Sequence, residues 1–362
     1  MEFIDLKKQY NLYKRDISNA VFQVFEHGRY INGPEVKQLE DTLSVFCGVK
    51  HCIGIGSGTH SLEIALRALG IGAGDEVITV PFTWISTAEV ISLVGAKPVF
   101  VDINPNTYNL DHSLIKAALS SKTKAIMPVS LFGQIPEMEK ISQIASEANI
   151  PIIEDGAQSF GATRYGVRSC GITTVGSTSF FPAKPFGCYG DGGALFTNDD
   201  NLADEIRAIR SHGGLKRHHH TVIGTNGRLD TIQAATLLAK FPYFENEIKE
   251  RQKIGREYTE RLSECCTVPL IAKGNTHVYA QYTLKIKNRK KFIEKLNSKD
   301  IPTAIYYPKC LHLQPVFRNL GYKVGNFPEA EKAANEVVSI PMHPFLEEKE
   351  INKIVESIKN SV

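Results

Sequence analysis

Short apolar, β-branched runs alternate along the first half of this chain with segments whose apolar residues recur at helical spacing. Cys52-Ile53-Gly54-Ile55 precedes a stretch with Leu62, Ala65, Leu66 and Leu69 on one helical face. Glu76-Val77-Ile78-Thr79-Val80 precedes another with Ala88, Ile91 and Val94, and Pro98–Val101, Ala125–Val129, a helix near Met138–Ala148 and a strand at Ile150–Ile153 continue the rhythm. Such a βαβα order predicts an α/β fold with a mostly parallel sheet, covered on both faces, whose ligand site lies beyond the carboxyl ends of the strands. From about Thr231 the pattern changes to a long, charge-rich helix through Leu262, followed by a strand at Tyr279–Ile286 and helices at Lys291–Leu296 and Glu348–Ile358. This change divides the chain into a large domain, 1–244, and a small C-terminal domain, 245–362. An N-terminal helix with Ile17, Val21 and Val24 on one face is expected to pack back onto the small domain.

Composition narrows the function classes. A chain of 362 residues with 42% hydrophobic content buries a large core, and a formal charge of +3 offers no field for a nucleic acid. The seven cysteines are odd in number and lack CxxC spacing, which suits reduced thiols in the cytoplasm rather than a disulfide framework or a metal site. No basic and apolar leader opens the chain, and no apolar run is long enough to span a bilayer, so neither export nor a membrane partner is expected.

Lys184 is the chemically telling residue, because a lysine between Pro182-Ala183 and Pro185-Phe186 is badly placed for an ordinary surface charge. The apolar run Ile150–Ile153 delivers Glu154-Asp155 and then Gln158 to a strand end. A lysine and a strand-end aspartate are the minimum for holding pyridoxal 5′-phosphate (PLP), the amine bonding the aldehyde carbon and the carboxylate keeping the ring nitrogen protonated. Gly56-Ser57-Gly58-Thr59, between a strand and a helix, supplies backbone amides for a phosphate; it does not keep the GxGxxG spacing of a dinucleotide site. Trp84, the single tryptophan, follows a strand end and either stacks on a pyridine ring or fills the core beneath a helix start. Ser179 adds a hydroxyl for a phosphate, and Gln158 a carboxamide that reaches a ring oxygen.

Glu154–Ser159, Ser179–Lys184, Gly190-Asp191-Gly192-Gly193 and Gly224–Asp230 together resemble the DegT/DnrJ/EryC1/StrS family of nucleotide-sugar aminotransferases, and the similarity runs from Phe3-Ile4-Asp5-Leu6 to the C-terminal helix. The resemblance implies PLP fold type I, the aspartate-aminotransferase architecture, and a homodimer with active sites at the interface. It makes Lys184 the Schiff-base lysine, pairs Asp155 with the pyridinium nitrogen, sets Gln158 on the ring hydroxyl and Trp84 on the ring, and gives the phosphate to Gly58, Thr59 and Ser179, with Asn226 reaching it from the partner subunit. His60 stands where members commonly carry an acid, and Ala183 where they carry serine. Lys184 itself separates the chain from related dehydratases, which carry histidine there.

The family reading implies L-glutamate as amino donor. Tyr279–Thr283, the run Lys216-Arg217-His218-His219-His220 and Arg228 are most similar to the subgroup that aminates C3 of UDP-2-acetamido-2-deoxy-3-keto-D-glucuronic acid, a precursor of lipopolysaccharide O-antigen. Arg228 either clamps the uronate carboxylate or pairs with Asp230 or another acid. Tyr306, Tyr307 and His312 fall in a stretch that borders the sugar pocket in this family. Amination at C4 of a nucleotide-linked 4-keto-6-deoxyhexose, and a PLP-binding regulatory protein without turnover, stay open beside the favoured reading.

Overall fold

A computed structural model describes residues 1–216 and 218–362; Arg217, part of the basic-histidine run, lies outside the described residues. Seven strands make one sheet: β1 (His51–Ile55), β2 (Glu76–Thr79), β3 (Lys97–Phe100), β4 (Thr123–Ile126), β5 (Ile153–Asp155), β6 (Val175–Ser179) and β7 (Gly193–Thr197). The order is β3-β2-β4-β5-β6-β7-β1, with β4 and β5 joined by the parallel bridges Ile126↔Ile152 and Val129↔Asp155. Only β7 runs against its neighbours β6 and β1.

Adjacent residues of one strand point to opposite faces. Val77 and Ala125 enter one buried cluster with Ile53, Leu62 and Ile153, while their neighbours Ile78 and Ile126 enter a second with Leu39, Leu43 and Met138. With both faces apolar, the strands read as continuous hydrophobic runs rather than alternating ones. Helices α1 (Leu6–His27), α2 (Pro34–Cys47), α3 (Gly58–Ala68), α4 (Ser86–Leu93), α5 (Met138–Glu147) and α6 (Asp200–Arg210) belong to this half of the chain.

Helix α7 (Thr231–Leu262) is unbroken through residues 244 and 245, the boundary expected between the two domains. Its first half contributes Ala234, Leu237 and Phe244 to the sheet core. Its second half contributes Ile254, Tyr258 and Leu262 to a separate core with the antiparallel pair β8 (Tyr282–Lys285) and β9 (Val337–Ile340) and the last helix. Helices α8 (Arg289–Asn297), α9 (Pro328–Glu336) and α10 (Glu348–Lys359) complete the chain. Helix α1 lies along α7, with the Tyr13 ring stacked on Tyr243 at 4.1 Å and Lys8 Nζ donating to the Phe345 carbonyl at 2.9 Å.

Candidate active site

The carboxyl ends of β1, β2, β5 and β6 open on a cavity of about 320 Å³. Nine of the residues expected from the sequence line it: Gly58, Thr59, Trp84, Asp155, Gln158, Ser179, Lys184, Tyr306 and Tyr307.

Lys184 is set by a turn that follows β6, its own N–H donating to the Phe181 carbonyl at 2.9 Å. It keeps some exposed surface because it opens on the cavity, yet enough protein surrounds the ammonium that burial lowers its pKa, an effect the Asp155 charge partly offsets. Asp155 ends β5 and is 6% exposed. Burial raises its pKa; Thr87 Oγ1, donating to Oδ2 at 2.8 Å, the Ala157 amide, donating to Oδ1 at 3.2 Å, and the Lys184 charge hold it down. The two groups therefore face one low-dielectric space in which the charge of each partly offsets the cost of burying the other.

The amino end of α3 forms a second feature. Ser57 caps the helix, its Oγ accepting the His60 N–H at 3.1 Å, while the N–H groups of Gly58 and Thr59 find no acceptor among the described residues. A Cβ at Gly58 would lie 2.5 Å from Ser179 Cβ, and one at Gly193 2.8 Å from the Gly58 nitrogen. Glycine at both positions lets three backbone segments meet around the free amides, a donor set suited to a dianion. Thr59 Oγ1 and Ser86 Oγ lie 2.7 Å apart.

Gln158 is held at both ends of its amide: Oε1 accepts the Phe132 N–H at 2.8 Å and Nε2 donates to the Tyr307 hydroxyl at 3.0 Å. Trp84 is 58% exposed, with its ring 6.1 Å from that of Tyr307. It forms the cavity mouth rather than a core contact.

Three expected residues lie elsewhere. His312 does not line this cavity: its side chain is buried on a 3₁₀ turn, hydrogen-bonded to Glu331 Oε1 at 3.1 Å and packed against Phe327. Asn226 is exposed and off this cavity. Arg228 also lies off it; its Nε is buried without a hydrogen-bond partner, and no carboxylate comes within 4.0 Å among the described residues, so it does not pair with Asp230. Several wall and support residues carry no signal of their own in the sequence. Ser86 and Thr87 open α4 just after Trp84, and their hydroxyls matter because of where Thr59 and Asp155 come to lie. Ile4 and Gln281 also line the cavity, in segments noticed only as resembling the family.

A lysine and a carboxylate sharing a desolvated space, beside free amides at a helix start, fit PLP by the chemistry of the donor set. The profile of the DegT/DnrJ/EryC1/StrS aminotransferases matches residues 11–359. The chain belongs to that family. It is 50% identical to a UDP-2-acetamido-2-deoxy-3-oxo-D-glucuronate aminotransferase of Pseudomonas aeruginosa, over 99% of this chain and 100% of that protein. A crystal structure of a DegT/DnrJ/EryC1/StrS aminotransferase from Brucella abortus, 42% identical, superposes with a TM-score of 0.97 over 99% of both chains. NtdA of Bacillus subtilis, solved with bound PMP, is 28% identical with a TM-score of 0.93 over 100% of this chain and 85% of that one. This DegT/DnrJ/EryC1/StrS aminotransferase thus has the PLP fold type I architecture, and PLP is its cofactor.

Proposed function

We propose that the protein transfers the amino group of L-glutamate to C3 of UDP-2-acetamido-2-deoxy-3-keto-D-glucuronic acid, in the supply of an amino sugar for lipopolysaccharide O-antigen. The observation that carries this reading is the meeting of Lys184 and Asp155 in one desolvated cavity, in a chain half identical to an enzyme named for that sugar.

When bound, PLP supplies an electron sink for the carbanion left at the amino donor's Cα. The chain does the rest. Gly58 and Thr59 amides with Ser179 hold the phosphate, and Asp155 keeps a proton on the ring nitrogen through its negative charge. Gln158 would contact the ring hydroxyl, and Trp84 would stack on the ring. Burial that lowers the Lys184 pKa leaves its Nζ able to accept the proton from Cα as a neutral amine and to return it as an ammonium. Ile4, Phe181, Tyr306 and Tyr307 wall the cavity and limit water around that transfer.

Asn226 and Arg228 are assigned to the neighbouring subunit's site in a homodimer, Asn226 to the phosphate and Arg228 to the uronate carboxylate. The lone buried Nε of Arg228 supports a missing anionic partner. In the same reading residues 1–244 form the cofactor domain and 245–362 the small domain, and the enzyme works in the cytoplasm; no helix among the described residues is long and apolar enough to cross a membrane.

The test is conversion of the 3-keto uronate by the PLP-loaded protein with L-glutamate, followed by mass spectrometry of the amino sugar. A Lys184→Ala variant should give no product. Efficient amination of a 4-keto-6-deoxyhexose with no conversion of the uronate would reject the assignment, and product from Lys184→Ala would reject the role of the lysine.

A further inference from the structure

Most polar side chains of the cavity are committed to partners in the chain. Thr59 meets Ser86, Asp155 meets Thr87, and Gln158 meets Tyr307 and the Phe132 amide. Gln281 is different. It is 9% exposed, and its Oε1 is buried with no hydrogen-bond partner among the described residues. Left so, a buried acceptor costs stability, which marks a group kept for something else.

Its place is fixed by backbone. Gln281 immediately precedes β8, and its N–H donates to the Phe132 carbonyl at 3.4 Å. Phe132 is the residue whose own N–H orients Gln158, and it is held in the left-handed region at φ 59°. One turn thus aligns two carboxamides along the same wall. On its other side Gln281 borders a space of about 10 Å³ with Gln134, His277 and Thr283, room for a single water.

We infer that Gln281 is a specificity-determining residue whose side-chain amide pairs with the 2-acetamido group of the sugar nucleotide. The inference rests on the sugar reading above. A primary carboxamide presents one acceptor and two donors. An acetamido group offers the orphaned Oε1 an N–H whose direction its planar amide fixes; its carbonyl points the opposite way, so the pairing is this one hydrogen bond. A hydroxyl is free to turn its proton elsewhere, and a carboxylate has no proton for the orphaned Oε1. Sites built to hydrogen-bond a substituent discriminate strongly against analogues that lack it, because their own polar groups are then left unpaired.

UDP-N-acetylglucosamine and UDP-glucose differ only at that substituent, and calorimetric binding of each to the PLP-loaded protein reads the preference without turnover. The wild type should bind the acetamido compound about ten-fold or more tightly, as expected for one satisfied hydrogen-bonded pair. Gln281→Leu, or Gln281→Met should the first fail to fold, should erase the difference by weakening only UDP-N-acetylglucosamine. An unchanged ratio in the variant, or equal affinities in the wild type, overturns the assignment and leaves Gln281 bonded to water in the adjoining space. Binding of neither nucleotide by the wild type rejects the sugar reading itself, and this assignment with it.

Discussion

Burial acts on Asp155 and Lys184 in opposite chemical senses, and one hydroxyl weighs most in the balance. A carboxyl whose pKa is raised on folding holds its proton longer in the native state, so its contribution to stability is full below the free aspartate value and is lost as the pH rises through the folded value. Lys184, lowered on folding, contributes fully above the free lysine value and less as the pH falls through its own. Thr87 does most to keep Asp155 from rising further, its hydroxyl donating to Oδ2, with the Ala157 amide and the Lys184 charge acting in the same sense. Thr87→Val keeps the shape of the side chain and removes that donor, a loss of about 1.5–3 kcal/mol for a bond to a charged group, or roughly one to two pH units. A protonated Asp155 would no longer offer its charge to the pyridinium nitrogen, so the acid limb of cofactor retention, followed by absorbance, should move up by about that much. An unmoved limb would mean that Thr87 does not support the carboxylate. Lys184 and Asp155 were legible in the sequence because each is chemically out of place where it stands, a cation among prolines and aromatics and an acid after an apolar run. Thr87 was not, since its partner lies 68 residues further along the chain.

At the scale of elements, the start of α3 decides whether a phosphate is held. Gly58→Ala would bring a methyl to 2.5 Å from Ser179 Cβ, so α3 or β6 must shift, at a cost of about 1–3 kcal/mol. The strain falls on the cradle, so PLP affinity measured by equilibrium dialysis should drop about 10- to 100-fold while the circular dichroism stays native; undiminished affinity would remove this helix start from the site. The glycine-rich turn was readable because a strand, small residues and a helix follow in order. Strand β6 was not, since Val-Gly-Ser-Thr-Ser has neither an apolar run nor alternation and owes its place to β5 and β7 on either side. Strand β5 runs from Ile153 to Asp155, shifted past the expected Ile150–Ile153, because bridges to the segment after β4 carry the pairing on to Asp155.

Helix α7 binds the elements together through charges that its periodicity alone does not announce. Lys240, Glu247 and Arg251 are each at most 5% exposed. Burial lowers Lys240 to about 8 and Arg251 to about 10, with Glu247 holding both up. Lys240 donates to the Gly187 carbonyl, three residues beyond Lys184, and Arg251 to the carbonyls of Tyr279 and Met342 in the C-terminal core. Glu247 also accepts from Gln9 of α1 at 3.1 Å. Glu247→Leu strands two buried cations and should destabilise the protein by about 3–5 kcal/mol in chemical denaturation. The double change Lys240→Met with Glu247→Leu should recover part of this, and full additivity of the two losses would show that the pair is not coupled.

For the whole molecule, the surface carries what one chain does not use. Phe22, Phe25, Tyr30 and Ile31 cluster at the end of α1 and are each at least 47% exposed, a patch that a soluble chain usually covers. Asn226 and Arg228 stand outside the cavity that the same chain forms. The proposed homodimer answers both observations, with two-fold symmetry covering the patch and carrying each pair of residues to the other subunit's cavity. A subunit with Lys184→Ala then keeps a working Arg228 for its neighbour, and a subunit with Arg228→Ala keeps a working Lys184. Each variant alone lacks one group at both sites, Lys184→Ala being inactive and Arg228→Ala weak on the uronate. After subunit exchange at equal amounts, about half the dimers are mixed, and each mixed dimer holds one site with every group intact. Uronate amination should therefore rise to about a quarter of the wild-type rate. If the mixture stays at the mean of its two components, Arg228 serves the cavity of its own chain, and the cross-subunit assignment falls.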